Sequence, residues 1–183
     1  GALAGDAITT GSHNTAVGYI ALSTNITGVA NTAVGREALK TSVADGNTAV
    51  GEESLKLNTS GTRNTAVGRD SLQKNTSAND NVAVGSGAME ANTTGAENTA
   101  IGFSALNANT TAANNTAVGR LALLLNTTGA TNVAVGAATL DANTTGSNNV
   151  GVGVAALGSN TTASNNTAVG HIAMNSNTTG HSQ

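Results

Sequence analysis

The sequence predicts an all-β fold, a parallel β-solenoid of about ten 17-residue coils, and three observations lead to it. The pentapeptide Asn-Thr-Ala-Val-Gly or a near copy begins at ten places, 17 residues apart except for a single spacing of 16. In every copy the fourth residue is Val or Ile and the ninth is Leu or Met. Asn, Thr and Gly close most copies, a composition typical of turns. Such a period indicates stacked units that bury their apolar faces only against one another.

The repeats divide the chain into a partial repeat, residues 1–13, and ten tandem repeats, residues 14–183, which form one continuous fibre segment. We call the repeats coils 1–10 and number positions 1–17 along the pattern N-T-A-V-G-x-x-A-L-x-x-N-T-T-G-x-x. Coil 2 departs from this pattern, because Ser42-Val43-Ala44-Asp45 replaces the closing turn and one residue is missing. Since the chain opens and ends inside repeats, we expect it to be a segment of a longer protein. The coils begin at Asn14, Asn31, Asn47, Asn64, Asn81, Asn98, Asn115, Asn132, Asn149 and Asn166.

Positions 1–5 predict the strand of each coil. Successive side chains of a strand point to opposite faces, so positions 2 and 4 share one face. Position 4 is always apolar and position 2 becomes Val in three coils, which predicts that this face lines the core. Position 9 supplies the second large apolar residue. The predicted core residues are Val17, Leu22, Val34, Leu39, Val50, Leu55, Val67, Leu72, Val84, Met89, Ile101, Leu106, Val118, Leu123, Val135, Leu140, Val152, Leu157, Val169 and Met174.

Position 3 lies on the opposite face of the predicted strand. It is Ala in nine coils and Gly in one, which predicts that a neighbouring chain packs closely against it. The predicted chain–chain interface consists of Ala16, Ala33, Ala49, Ala66, Ala83, Ala100, Ala117, Ala134, Gly151 and Ala168.

Positions 5–17 return the chain to the next strand. Gly at position 5, followed by two positions that accept charge, predicts a turn. The Ala-Leu pair at positions 8 and 9 begins a second segment, and two strands per coil is the favoured interpretation. A short helical turn is the alternative, since residues 36–41 and their equivalents have helical composition. The closing Asn-Thr-Thr-Gly predicts a turn whose side chains bond nearby backbone.

The charged residues mark the outside of the solenoid. Within the ten coils they fall at positions 6, 7, 10 and 11 or in the last turn, and never at positions 1–5, 8, 9 or 12–14. Unpaired charges are rarely buried, so the excluded positions are predicted to lie inside or at an interface. Two large apolar residues per coil make a thin core. This predicts that several chains, most naturally three, pack about one axis.

Composition excludes several classes of protein. The absence of Cys rules out a disulfide framework, a CxxC redox pair and Cys-ligated zinc. A net charge of −3, from 7 basic and 10 acidic residues, provides no basic surface for nucleic acid. The longest apolar run, residues 121–125, is far shorter than the ~20 residues of a membrane span, so no membrane insertion is expected within this segment.

Candidate chemical sites are few. The histidines lie at unrelated repeat positions without an acidic partner close in sequence, which predicts neither a metal site nor a catalytic base. Gly151-Val152-Gly153 is one copy of the repeat and lacks the rest of a dinucleotide-binding loop. The pairs Glu52-Glu53 and Arg69-Asp70 lie in predicted turns without a sign of a pocket. We therefore expect no enzyme activity, no catalytic or metal-binding residue and no cofactor. The histidines are His13, His171 and His181.

The pattern Asn-x-Ser/Thr recurs at position 12 and is the acceptor pattern for N-glycosylation. Turn chemistry alone also explains Asn-Thr-Thr, so two interpretations stay open, a structural turn and a glycan-decorated fibre. Two further copies of the pattern begin at Asn114 and Asn165. The possible glycosylation sites at position 12 are Asn25, Asn58, Asn75, Asn92, Asn109, Asn126, Asn143, Asn160 and Asn177.

Two stretches of the repeat resemble known fibrous proteins. NTAVGREAL (31–39) and NTAIGFSAL (98–106) resemble the SVAIG-containing repeats in the heads of trimeric autotransporter adhesins. The whole unit at 98–114 is similar to repeats of phage tail fibres and bacterial tail-fibre proteins, and the resemblance extends over residues 14–180. It implies a left-handed parallel β-roll in a homotrimer, exposed outside the cell or virion as a shaft or an adhesive head.

The expected function is a structural extracellular fibre or adhesin segment, on a cell surface or virion, that presents a repetitive surface for attachment. Its expected partners are further copies of the chain, as a homotrimer or a longer filament, and a host surface or glycan, with no nucleic acid. The alternative function is an ice- or carbohydrate-surface binder that uses ladders of Thr and Asn spaced ~4.8 Å apart.

Overall fold

In the computed structural model, which describes residues 1–178 and 180, ten three-residue strands form a single parallel sheet. Each strand pairs in register with the next one along the chain, as in the pairing of Thr15 with Thr32 and of Val17 with Val34. The predicted all-β parallel solenoid of ~17-residue repeats is confirmed, and no helix occurs in the described residues. The strands are β1 (Thr15–Val17), β2 (Thr32–Val34), β3 (Thr48–Val50), β4 (Thr65–Val67), β5 (Val82–Val84), β6 (Thr99–Ile101), β7 (Thr116–Val118), β8 (Val133–Val135), β9 (Val150–Val152) and β10 (Thr167–Val169).

The two faces of the strands are the reverse of the prediction. Position 3 points into the coil, where Ala117 and six equivalent alanines are fully buried within a single chain. Positions 2 and 4 point outward, so Ile101 is 41% and Val135 is 37% exposed within the stack, while Val169 in the last strand is 71% exposed. The assignment of position 4 to the core is therefore wrong. The residues that it misplaces are Val17, Val34, Val50, Val67, Val84, Ile101, Val118, Val135, Val152 and Val169.

The assignment of position 3 to a chain–chain interface is wrong for the same reason. A residue that is buried inside its own coil has no surface left for a second chain. The physical cause is the narrow cross-section of the coil, where a methyl group at position 3 fits against the Leu at position 9. The interior residues are Ala33, Ala49, Ala66, Ala83, Ala100, Ala117, Ala134, Gly151 and Ala168, while Ala16 in the first strand is partly buried.

Position 9 lies inside the coil, where the sequence places it. Nine of these side chains are fully buried and form the hydrophobic core together with small residues at positions 3 and 8. Met174, in coil 10, is only partly buried and packs against the edge of this core. The nine fully buried residues are Leu22, Leu39, Leu55, Leu72, Met89, Leu106, Leu123, Leu140 and Leu157.

Positions 6–11 form consecutive turns, so the second strand and the alternative helical turn are both wrong. Position 7 and position 9 adopt left-handed backbone conformations, with φ of 59° at Glu37 and 48° at Leu39. Alternating left-handed residues fit neither a helix nor an extended strand. The turn backbone bonds to neighbouring coils instead, as when Leu39 N–H donates to the Ser54 carbonyl oxygen at 3.0 Å.

Gly at position 5 has a specific geometric role. At Gly119 the φ angle is 140°, a value that residues with a side chain rarely adopt. A Cβ atom there would lie 2.6 Å from the carbonyl carbon of Gly136 in the next coil. The backbones of successive coils therefore approach closely at this corner only because neither has a side chain there.

The missing residue of coil 2 is removed from the outer turn. Val43 N–H donates to the Thr59 carbonyl oxygen at 3.3 Å, as position 13 does elsewhere. Ala44 then takes the place of position 15, because its carbonyl oxygen accepts from Asn31 Nδ2 at 2.7 Å. The coil thus lacks position 14 and keeps its strand in register.

Candidate functional site

Two rows of β-branched side chains cover the outward face of the ten-stranded sheet. We call this surface the outward face; it consists of positions 2 and 4 of every coil. Neither row contains a charge, and the position 4 side chains range from partly buried, as at Val118, to 71% exposed at Val169 in the last coil. Position 4 consists of Val17, Val34, Val50, Val67, Val84, Ile101, Val118, Val135, Val152 and Val169. Position 2 consists of Thr15, Thr32, Thr48, Thr65, Val82, Thr99, Thr116, Val133, Val150 and Thr167.

Beneath this face, two columns of buried Asn side chains run through the interior of the coils. In the column at position 1, Asn64 N–H donates to Asn47 Oδ1 at 3.0 Å. In the column at position 12, Asn75 Nδ2 donates to Asn58 Oδ1 at 2.9 Å. The two columns meet at one carbonyl oxygen, that of Ala78, which accepts from Asn64 at 2.8 Å and from Asn75 at 3.1 Å.

These ladders satisfy the polar interior and connect the coils. Among the described residues, no buried side-chain nitrogen or oxygen lacks a hydrogen-bond partner. A buried amide that is left unpaired is costly, so each Asn favours a neighbour in the matching register. For Asn at position 12 the sequence suggested turn chemistry or glycosylation, and the ladder at position 1 was not predicted. The signal was available, because position 1 is Asn in all ten coils and never carries charge.

The fully buried position 12 asparagines, in coil 1 and coils 3–9, are not glycan acceptors in the folded chain. In coil 2 Ser42 replaces Asn, and Asn177 in coil 10 is only partly buried. The Nδ2 atom that would carry a glycan already donates to the neighbouring Asn and to a carbonyl oxygen, as at Asn75. The prediction is therefore corrected for Asn25, Asn58, Asn75, Asn92, Asn109, Asn126, Asn143 and Asn160.

A network of ion pairs covers the turns of coils 2 and 3. Arg36 contacts Glu37 at 2.7 Å and Glu53 at 2.8 Å, and it also contacts Glu52 in the next coil. Lys56 contacts both Glu37, at 2.8 Å, and Glu53, at 3.1 Å. The hydrogen bond from the Lys56 ammonium lowers the pKa of Glu37 below its ordinary value.

Further charges lie at positions 7 and 17. Arg63 and Asp80 form a bidentate pair with N–O distances of 2.6 and 2.7 Å, and the Arg63 guanidinium lowers the pKa of Asp80. Asp70 behaves oppositely, since partial burial raises its pKa although Arg69 lies 3.3 Å away. These carboxylates are paired parts of the surface, and the structure does not gather them around a cavity.

The remaining candidate residues lie far apart. His13 is exposed beside Ser12, at 3.1 Å, and His171 is exposed in coil 10. His181 lies outside the described residues. Gly151 is buried in β9, so its backbone faces neighbouring strands rather than a ligand. The described part of the chain shows no pocket, no group of three His, Cys, Asp or Glu arranged for a metal ion, and no helix that could cross a membrane.

Comparisons with protein-family models, with curated proteins and with solved structures find no match to this chain. The fold and the candidate site therefore define its class, a tandem-repeat parallel β-solenoid with a polar-laddered interior and a charge-free outward face.

Proposed function

We propose that this chain is a structural segment of an extracellular fibre or adhesin, at a cell surface or on a virion, that self-associates through the outward face. The observation that carries the proposal is the uninterrupted row of Val and Ile at position 4, which a single chain leaves at least partly exposed in all ten coils. Soluble monomers rarely expose contiguous apolar patches larger than a few hundred Å2. Burial of this row between chains accounts for its composition.

The size of the row favours a stable assembly. Ten strands spaced about 4.8 Å apart make a column roughly 43 Å long. Completing the burial of these partly exposed Val and Ile side chains contributes roughly 0.5–1 kcal/mol per residue. Ten such residues per chain contribute roughly 5–10 kcal/mol, which is comparable with the roughly 4–15 kcal/mol cost of association. Three chains packed about one axis remain our proposal for the number of copies.

The interior of the coils suits a mechanical role. Each coil bonds to its neighbours through backbone ladders and through the two Asn columns, so the connections repeat along the whole stack. A shaft or head built in this way presents the same turns at each level, which allows repeated weak attachment to a host surface or glycan.

The test compares two lysine substitutions in coil 7. Val118→Lys places a charge in the centre of the outward face, whereas Thr128→Lys places it on the exposed closing turn of the same coil. Native mass spectrometry and sedimentation velocity are expected to show a trimer for the unmodified chain and for Thr128→Lys. Val118→Lys is expected to be monomeric or strongly dissociated. A folded monomer for the unmodified chain at micromolar concentration would refute self-association.

An ice- or carbohydrate-surface binder is the second candidate, and one observation favours it. Seven of the ten strands present Thr outward at position 2, beside the Val or Ile of position 4, at the regular spacing of the sheet. Thermal hysteresis of the unmodified chain and of Thr116→Tyr separates the candidates. Ice binding requires hysteresis that Thr116→Tyr abolishes, whereas a fibre segment whose outward face is buried between chains shows none.

A further inference from the structure

Charged rims flank the outward face on both sides. The position 6 rim consists of Arg36, Glu52 and Arg69, in coils 2–4, and the charged residues of the position 17 rim in these coils are Arg63 and Asp80. Coil 2 has Gly46 at position 17, so Asp45 lies at position 16, where its Oδ1 accepts from Val29 N–H at 2.7 Å. All five rim residues are exposed.

The signs of the two rims are opposite in coils 3 and 4. Glu52 accompanies Arg63 in coil 3, and Arg69 accompanies Asp80 in coil 4. The signs alternate along position 6 from coil 2 to coil 4, and along position 17 from coil 3 to coil 4. The contacts within the chain run along the rims, between Arg36 and Glu52 and between Arg63 and Asp80.

One chain cannot pair its own two rims across the face. Six Cα-to-Cα steps separate position 17 from position 6 of the next coil, a distance of up to roughly 20 Å at about 3.3 Å per extended residue. That distance exceeds the reach of the two side chains together. A lateral partner for either rim must come from another molecule.

We propose that the rims set the direction and register of self-association. A second copy of this chain, parallel to the first and with its coils at the same level, places its position 17 rim against the position 6 rim of the first. This inference rests on the proposed self-association through the outward face. The parallel, in-register arrangement is generated by rotation about an axis along the solenoid. Each chain then contacts one neighbour through its position 6 rim and the other through its position 17 rim, so the chains form a closed ring.

Other arrangements fit the charges less well. A slip of one coil places Arg36 against Arg63 and Glu52 against Asp80, two pairs of like charge, and gains only one pair of opposite charge, Arg69 with Glu97. An antiparallel arrangement places coils 2–4 against coils 7–9, where positions 6 and 17 carry only one charge, Arg120. The alternation therefore favours one register and disfavours its nearest competitor, as repulsive pairs do in specific interfaces.

The decisive variant exchanges Arg63 and Asp80. The double substitution Arg63→Asp with Asp80→Arg keeps composition, net charge and the ion pair within the chain, but it reverses the sign presented to Glu52 and Arg69. We expect a rise of roughly tenfold or more in the dissociation constant, measured by sedimentation in low-salt buffer. Adding Glu52→Arg and Arg69→Glu restores opposite signs and is expected to recover most of the affinity.

The matched control exchanges Lys74 and Glu90. This pair also joins successive coils, with 3.8 Å between Lys74 Nζ and Glu90 Oε1, but it lies at positions 11 and 10, away from both rims. Lys74→Glu with Glu90→Lys is expected to leave association unchanged. Salt provides a measurement without substitutions, because ionic strength screens exposed charge pairs and is expected to weaken the unmodified assembly.

The outcomes separate the two proposals. If the unmodified chain associates but the Arg63/Asp80 exchange and added salt leave the dissociation constant unchanged, the charged rims do not set the register, and self-association stands. If the exchange weakens association and the fourfold variant fails to recover it, the pairing of the two rims is also wrong. A monomeric unmodified chain overturns both proposals.

Discussion

Replacing Asn92 with Ala tests the buried ladder at position 12. Asn92 is fully buried, and its Nδ2 donates to Asn75 Oδ1 at 3.1 Å and to the Gly95 carbonyl oxygen at 3.0 Å. Its Oδ1 accepts from Asn109 Nδ2 at 2.8 Å. The substitution removes all three hydrogen bonds and leaves Asn75 Oδ1 without its donor from the next coil.

The magnitude follows from these contacts. Each buried hydrogen bond contributes about 1 kcal/mol net, and a buried polar atom left unpaired costs about 1–3 kcal/mol. Gly95 and Asn109 keep other partners, since the Gly95 oxygen still accepts from Asn81 at 3.0 Å and Asn109 still donates to the Ala112 oxygen at 3.0 Å. We therefore expect Asn92→Ala to lower the free energy of unfolding by roughly 3–5 kcal/mol.

Urea unfolding, followed by circular dichroism at one fixed protein concentration, measures the effect, because the stability of an assembly depends on concentration. Thr94→Ala is the control, since this hydroxyl is exposed in the same coil. Ser42→Asn gives the opposite change, because it completes the ladder where Asn58 Nδ2, which also donates to the Gly61 carbonyl oxygen at 2.9 Å, contacts Ser42 Oγ at 3.3 Å. It should raise the free energy of unfolding by about 1 kcal/mol. Equal stabilities of the Asn92 and Thr94 variants would refute the energetic role of the ladder.

Three further predictions concern the turns. Thr131 has a φ of 60°, which is unfavourable for a β-branched residue, whereas coil 2 has Gly46 at the same position. Thr131→Gly should therefore raise the free energy of unfolding, measured by urea titration, by about 0.5–1 kcal/mol. Lys56 lowers the pKa of Glu37, so the ionised carboxylate stabilises the fold above its unfolded pKa of about 4.3. That stabilisation is lost as pH falls through the pKa of Glu37 in the folded state. Glu37→Gln should therefore make the melting temperature less sensitive to acid. Residues 41–46 should exchange backbone hydrogens faster than the regular closing turns, and uniform protection would contradict this.

The irregular coil 2 shows how a stacked fold accommodates a deletion. Asn47 N–H still donates to Asn31 Oδ1 at 2.9 Å, so the position 1 ladder runs through the coil without a gap. The position 12 ladder is interrupted, because Ser42 is too short to replace Asn between Asn25 and Asn58. Solenoid stability is approximately a sum of coil and neighbour terms, so this interruption weakens the stack locally without ending it.

The periodic features of this protein could be predicted from its sequence. The 17-residue spacing and the turn residues established the parallel solenoid, and the uniform apolar position 9 identified residues such as Leu106 and Leu123 as interior. The confinement of charge to a few positions identified the exposed turns. These features follow from local chemistry that is repeated ten times. An irregular copy, such as coil 2, therefore does not obscure the pattern that the other copies share.

The tertiary structure decided which face of the strand lies inside. The alternation of a strand places positions 2 and 4 on one face and position 3 on the other, but it does not show which face is buried. Charge does not decide the question either, because neither face carries a charged residue. Hydrophobicity favours Val118 for the interior, yet the interior accepts Ala117, because Leu123 and two Asn columns already occupy most of the narrow coil. The available volume, which depends on how the distant turns close, excludes the larger side chain and leaves the Val row on the surface.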